Sequence, residues 1–381
     1  MKSKLFIGIL VAISFLLLSS QTNAQSYIGY SSYAGGASIE EVLNLQVING
    51  EAYLIGSTRS ANFPSTNGTT LRGEADFTIT KFSTTGSVIY STYLGGRGNE
   101  TLTGFKIING EVYIAAFTDS INYPVTNGSV FSGRRDIVVT KLNASGNIAF
   151  STYLGGSGND FPVTGGMEVN GTQVIIGGTT GSPNFPVTDN SVYGGGASDG
   201  FVAILNASDG SLIASKFIGG NKTDFTSTVA FDNNSIYLLN TTLSDDIPAT
   251  VGGSLPDTLE NIYIARCSFN NLDIIYSRYL GGNKSDFIIK GIAENGVLHM
   301  TGYSSSTDFP VTNGSESSSQ FNDVTDAYYT RLNPDGNIVY STYLNTNELD
   351  FPSQLIIANG DAYIGGTTVS TINGQKSVFD Q

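Results

Sequence analysis

The sequence predicts an all-β fold, a β-propeller of four-stranded antiparallel blades, six of them, with the N-terminal strand closing the last. Three observations carry this expectation. A six-residue motif returns at near-constant spacing through almost the whole chain, and four strand-like runs separated by turn signals fit inside each period. After the first 24 residues, no segment shows the 3.6-residue apolar periodicity and caps of a helix.

The chain opens with Met1-Lys2-Ser3-Lys4, an apolar run from Leu5 to Leu18, and small or polar residues up to Ala24. A basic start, a short apolar middle and a small residue before the cut describe a secretory signal peptide, 1–24, with cleavage expected after Ala24. The apolar run is shorter than the ~20 residues that span a bilayer, so a transmembrane anchor is not expected. The mature domain would then be 25–381, secreted or at the cell surface, and expected to be a monomer.

Within that domain Ser91-Thr92-Tyr93-Leu94-Gly95-Gly96 returns as Ser151-Thr152-Tyr153-Leu154-Gly155-Gly156 and as Ser277-Arg278-Tyr279-Leu280-Gly281-Gly282. Weaker copies begin at Ser31, Ser215 and Ser341. The aromatic residues at 33, 93, 153, 217, 279 and 343 are 60, 60, 64, 62 and 64 residues apart, which leaves no room for a second domain. In the second period the strands read as 101–108, 111–118, 136–142 and 147–154. Asn109-Gly110 joins the first two as a tight hairpin turn, and Asn143-Ala144-Ser145-Gly146 joins the last two. Four antiparallel strands in ~40–60 residues is the sign of a propeller blade, whereas solenoid repeats are shorter or helical.

The phase of the repeat bears on closure. Tyr27–Ala34 is a copy of a fourth strand, while Gln354–Ala358 and Asp361–Thr368 are copies of first and second strands. The N-terminal strand would complete the C-terminal blade and cover its edge. A third strand for that blade falls at 376–380, if anywhere, so a seven-bladed or truncated propeller stays open as an alternative.

The set Tyr53-Leu54-Ile55-Gly56-Ser57-Thr58, Asn62-Phe63-Pro64, Asp76 and Ser91-Thr92-Tyr93-Leu94-Gly95-Gly96 resembles the bacterial secreted β-propeller repeat family, SBBP, over essentially the whole mature chain. The resemblance implies a propeller on an exported or surface protein and carries no general enzymatic activity. The family's name refers to seven blades, and here the count departs from it.

Composition narrows the function classes. With 18 basic and 32 acidic residues the formal charge is −14. Removing Lys2 and Lys4 with the signal leaves 16 against 32, a charge of −16. A phosphate backbone is held by clustered Lys and Arg, so nucleic acid is not an expected partner. One Cys allows no intramolecular disulfide or thiolate cluster, and one His allows no multi-His metal site and leaves little room for a Ser-His-Asp system.

Seven residues after each repeat aromatic stands an acid: Glu40, Glu100, Asp160, Asp224, Asp286 and Asp350. If the first strand of a blade is innermost, these six lie near the mouth of a central channel, where such a ring could bind a ligand or a hard cation such as Ca²⁺. The competing reading gives each acid the backbone N–H groups of its Gly-rich crossing loop, as Asp commonly does in turns. The loops between second and third strands repeat Asn62-Phe63-Pro64, Asn122-Tyr123-Pro124, Asn184-Phe185-Pro186, Asp246-Ile247-Pro248 and Asp308-Phe309-Pro310. Ile247 in one copy argues that the aromatics plug loops onto blades and do not stack on a ligand. Third strands carry an acid or amide and a base five residues on, as in Asp76 with Lys81 and Asp136 with Lys141; the odd spacing puts them on opposite faces. Cys267 and His299 read as core residues.

The function expected is a non-enzymatic binding or structural module whose partner is a glycan or a surface protein. The alternative is a carbohydrate-active enzyme that uses channel-mouth carboxylates as acid and base.

Overall fold

The computed structural model describes residues 4–5, 27–28, 31, 33–232, 234–252, 259–312, 325–344 and 349–368. Two short strands, β1 (Lys4–Leu5) and β2 (Tyr27–Ile28), pair in parallel. Everything after them is antiparallel sheet in chain order. The first sheet holds β3 (Glu40–Ile48), β4 (Glu51–Thr58), β5 (Asp76–Phe82) and β6 (Val88–Leu94). The second holds β7 (Glu100–Ile108), β8 (Glu111–Thr118), β9 (Asp136–Leu142) and β10 (Ile148–Leu154). The third holds β11 (Asp160–Val169), β12 (Gln173–Thr180), β13 (Asp199–Asn206) and β14 (Leu212–Ile218). The fourth holds β15 (Asp224–Phe231), β16 (Ser235–Thr242), β17 (Asn261–Ser268) and β18 (Ile274–Leu280). The fifth holds β19 (Asp286–Glu294), β20 (Val297–Ser304), β21 (Asp326–Leu332) and β22 (Ile338–Leu344), and a sixth has only β23 (Asp350–Ala358) and β24 (Asp361–Thr368).

First strands pack on one another, β3 on β7, β7 on β11, β11 on β15, β15 on β19 and β19 on β23, so they form the centre and fourth strands the rim. Among the described residues the chain is therefore all-β, with five four-stranded blades and the two-stranded β23–β24 sheet in a propeller arrangement, beside the separate β1–β2 pair. The core lies between blades: four apolar clusters each draw on two adjacent sheets, with Tyr113, Ile137, Phe201 and Ala203 in one and Tyr237, Ile262, Met300 and Tyr328 in another. Because both faces of a middle strand are covered, all seven residues of β5 are buried and the sequence alternation is lost there.

Four hairpins turn on Asn-Gly, whereas Asn170 of the Asn170-Gly171 pair is not left-handed and its turn spans to Gln173. Asn49, Asn109, Asn295 and Asn359 take φ of 52°, 52°, 53° and 55°, and the glycines after them 81°, 80°, 81° and 89°. Two successive left-handed residues make the type I′ turn whose twist matches the strands it joins. Every first strand also carries a bulge two or three residues from its start, as between Val42 and Asn44 or Ile288 and Lys290. In β11 the irregularity widens to Pro162–Met167.

At the chain ends, Tyr27–Ile28 pairs in parallel with Lys4–Leu5. The sixth sheet has two strands among the described residues, and 376–380 lies outside them. Correspondingly, Tyr33 is fully exposed, and Val42, Leu45, Val47 and Ile48 on β3, with Ile356 and Tyr363 on the sixth sheet, face solvent.

Candidate functional site

The six repeated acids open the six first strands, as the spacing requires, but five of them are tied into a local knot of hydrogen bonds. Asp160 accepts from Gly156 N (2.8 Å), from Ser182 Oγ (2.9 Å) and from Thr180 Oγ1. Glu100 accepts from Gly96 N (3.1 Å), Thr118 Oγ1 (2.9 Å) and Ser120 Oγ (2.6 Å). Glu40, Asp224 and Asp286 repeat the pattern with Gly36, Gly220 and Gly282 and with Ser60, Ser244 and Ser306. Asp160, Asp224, Asp286 and Asp350 are buried. Burial, opposed by these donors, raises the carboxyls of Glu100 and Asp160, and it pushes Asp286 up to about 6. These acids therefore fasten each crossing loop to the following blade. The second glycine of the motif is required here, since a Cβ on Gly96 would lie 2.5 Å from Ser120 Cβ.

The loop aromatics are buried as plugs. Phe63, Tyr123, Phe185, Ile247 and Phe309 are all core residues, and Phe63 meets the repeat Tyr93 edge-on at 6.0 Å. Tyr93 in turn donates its hydroxyl to Ser60 O at 2.6 Å, stitching the loop to the outer strand. Third-strand bases find acids within their own blade, Lys81 with Glu51 (2.9 Å) and Lys141 with Glu111 (2.8 Å), each over a Tyr ring. Cys267 is fully buried, its thiol pushed up to about 12 by desolvation, and His299 Nδ1 meets Tyr329 Oη at 2.7 Å.

What the repeat did not reveal is a cavity of about 510 Å³ at the opposite, hairpin end of the central strands. It is lined by Glu168, Asn170, Phe231, Asp232, Phe269 and Glu294 among others. That volume falls in the range of small-molecule sites, and its mix of acids, amides and two aromatic rings suits a polar ligand with an apolar face. Glu168 is held by Lys106 of the preceding blade at 2.9 Å. Asp232 accepts from Tyr237 Oη (2.9 Å) and lies 3.7 Å from the Arg266 guanidinium. Glu294 is exposed. A signal existed in the sequence: the residue before each hairpin turn is Ile48, Ile108, Val169, Phe231 and Ala358 in five blades but Glu294 in one. One step earlier, Glu168 interrupts Val47, Ile107, Ala230, Ala293 and Ile357. Among the described residues no three acidic, His or Cys side chains converge as a metal cluster would require.

No protein-family model matches the chain, and no curated protein matches it. Among solved structures it is similar to hydrazine synthase of Kuenenia stuttgartiensis, at 8% identity and a TM-score of 0.40, over 76% of this chain and 67% of that one. It is also similar to the Pan2 WD40 domain of Neurospora crassa, at 7% identity and a TM-score of 0.34 over 85% of both chains. A third is the α-L-arabinofuranosidase Arb93A of Fusarium graminearum, at 12% identity and a TM-score of 0.40, covering 86% and 87%. The propeller arrangement rests on the sheet order above, and these likenesses assign no ligand.

Proposed function

We propose that the chain is an exported, non-enzymatic propeller of six blades, of the SBBP kind, that acts outside the cell or on its surface as a binding module, and that its ligand is a glycan seated in the hairpin-end cavity. The observation that carries the ligand reading is that Glu168, Asp232 and Glu294 line one cavity of about 510 Å³ together with Phe231 and Phe269. Carboxylates accept from sugar hydroxyls, and an aromatic ring covers the apolar face of a pyranose. Both glutamates stand where the other blades carry apolar residues or alanine, so they serve no demand of the repeat.

The test is a glycan array probed with the purified chain, followed by calorimetry on any hit with wild type, Glu294→Gln and Glu168→Gln. Affinity should fall about tenfold or more in each variant, the loss of a charge-assisted hydrogen bond. Absence of binding across the array, or affinity indifferent to both substitutions, would overturn the reading.

The same pair supports a second one, glycoside hydrolysis with Glu168 and Glu294 as the two carboxylates, since two acids on one cavity is the minimum such chemistry needs. Release of aryl alcohol from a panel of aryl glycosides, abolished by Glu294→Gln, would establish it; a flat time course would remove it.

A further inference from the structure

Each third strand of the first, second, third and fifth blades opens with an aspartate, and each of these is close enough to the acid opening the next blade for the two charges to interact. At two of these junctions the arrangement is incomplete as it stands. Asp136 is fully buried; its Oδ2 accepts from Ser132 N (2.8 Å) and Ser132 Oγ (3.3 Å), while Oδ1 has no hydrogen-bond partner. That oxygen looks across Gly155 at the next blade: a Cβ there would lie 2.8 Å from both Asp136 Oδ1 and Asp160 Oδ2. On its other side, the Cβ position of Gly133 is 3.2 Å from Asp136 Oδ1 and 2.3 and 2.4 Å from the carbonyl oxygens of Gly158 and Gly156. Asp136 Oδ1 thus stands between one glycine position that faces Asp160 Oδ2 and another that faces two loop carbonyls.

The next junction repeats this with different residues. Asp199 and Asp224 are both fully buried, and Oδ1 of each is without a partner. Asp199 Oδ2 accepts from Gly194 N (2.6 Å), and Asp224 Oδ2 from Gly220 N (2.7 Å) and Ser244 Oγ (2.9 Å). The Cβ positions of Gly194 and Gly195 come within 2.2 Å of Gly220 O and 2.8 Å of Asn221 O, so loop carbonyls again close on the glycine segment whose Gly194 N–H binds Asp199.

We propose that these two junctions each hold a hard divalent cation, Ca²⁺ by the ligand set, between Asp136 and Asp160 and between Asp199 and Asp224. At each junction a buried carboxylate oxygen, Asp136 Oδ1 or Asp199 Oδ1, is left without a donor beside a second acid that its own loop already hydrogen-bonds, and that oxygen forgoes hydration unless something positive lies against it. Calcium accepts carboxylate and carbonyl oxygens together and completes its shell of 6–8 with water. A softer ion would want nitrogen or sulfur, and none is present in either set. This site is independent of the hairpin-end cavity and survives or fails without it.

The experiment is thermal denaturation of the mature chain at pH 8 in EDTA and in about 1 mM Ca²⁺, the affinity range of extracellular calcium modules, with wild type, Asp136→Asn, Asp199→Asn and the double variant. Wild type should gain about 3 °C or more in calcium, each single variant less, and the double variant nothing, while remaining folded in EDTA. Calorimetric titration of wild type should also give two ions per chain, which keeps the proposal testable if a variant fails to fold. No shift and no heat in wild type would mean that each acid pair shares a proton, and a shift retained in the double variant would place the ion elsewhere; either result overturns the proposal.

Discussion

Phe185 illustrates what a repeated aromatic does here. It is buried against Phe201 at 4.6 Å and Phe217 at 6.2 Å, holding the long loop of the third blade onto its sheet. Phe185→Ala should cost about 3–5 kcal/mol in denaturant unfolding, as other buried phenylalanines do, without altering binding at the hairpin end. Asp326 offers a pH test. Burial first, and then the neighbouring Asp350, push it up to about 8, and neither of its oxygens has a hydrogen-bond partner. An acid raised on folding favours the fold while protonated, so its contribution is full below about pH 4 and is lost as pH rises through about 8. Asp326→Asn should therefore match wild type near pH 4 and exceed it by at least about 1 kcal/mol at pH 8; a difference constant with pH would refute this. At this scale the sequence was legible where residues repeat. The loop plugs were read from Ile247 replacing an aromatic, and the acids from their spacing. Glu168 and Glu294 were passed over because a search for regularity discards what breaks it.

Strands and turns were read more fully. The predicted 111–118 and 136–142 are β8 and β9, and the other two strands of that blade begin one residue from their predicted starts. Asn-Gly specifies its turn through backbone conformation alone, so it could be read without knowing the packing. Gly110→Ala, which places a Cβ at φ 80°, should cost about 1–3 kcal/mol of unfolding free energy; equal stability would show that the turn relaxes. First-strand bulges were illegible, because an extra residue in a strand has no side-chain signature. The wide irregularity of β11, with Gly165 at φ 77°, is the extreme case.

For the molecule as a whole, the 60–64 residue period dictated blades in series, whereas closure joins residues far apart in sequence, and the strand expected at 376–380 lies outside the described residues. The exposed faces of β3 and of β23–β24 locate the weak point. A two-stranded sheet is marginal on its own, so amides of β23–β24 should exchange with solvent deuterium within seconds to minutes, while β12–β13, buried between neighbours, should require near-global opening. Uniform protection across all six sheets would show instead that the ring is sealed.

The Asn-Gly turns also set how the protein ages. Succinimide formation, the first step of asparagine deamidation, needs the glycine nitrogen to swing onto the asparagine Cγ, and Asn-Gly is chemically the most permissive dipeptide for it. In the hairpins that swing must pull Asn49, Asn109, Asn295 or Asn359 out of the left-handed region. Isoaspartate should therefore accumulate first at Asn359, in the weakest sheet, and last in the interior blades, so a peptide map of an old sample would rank the hairpins by how often each one opens.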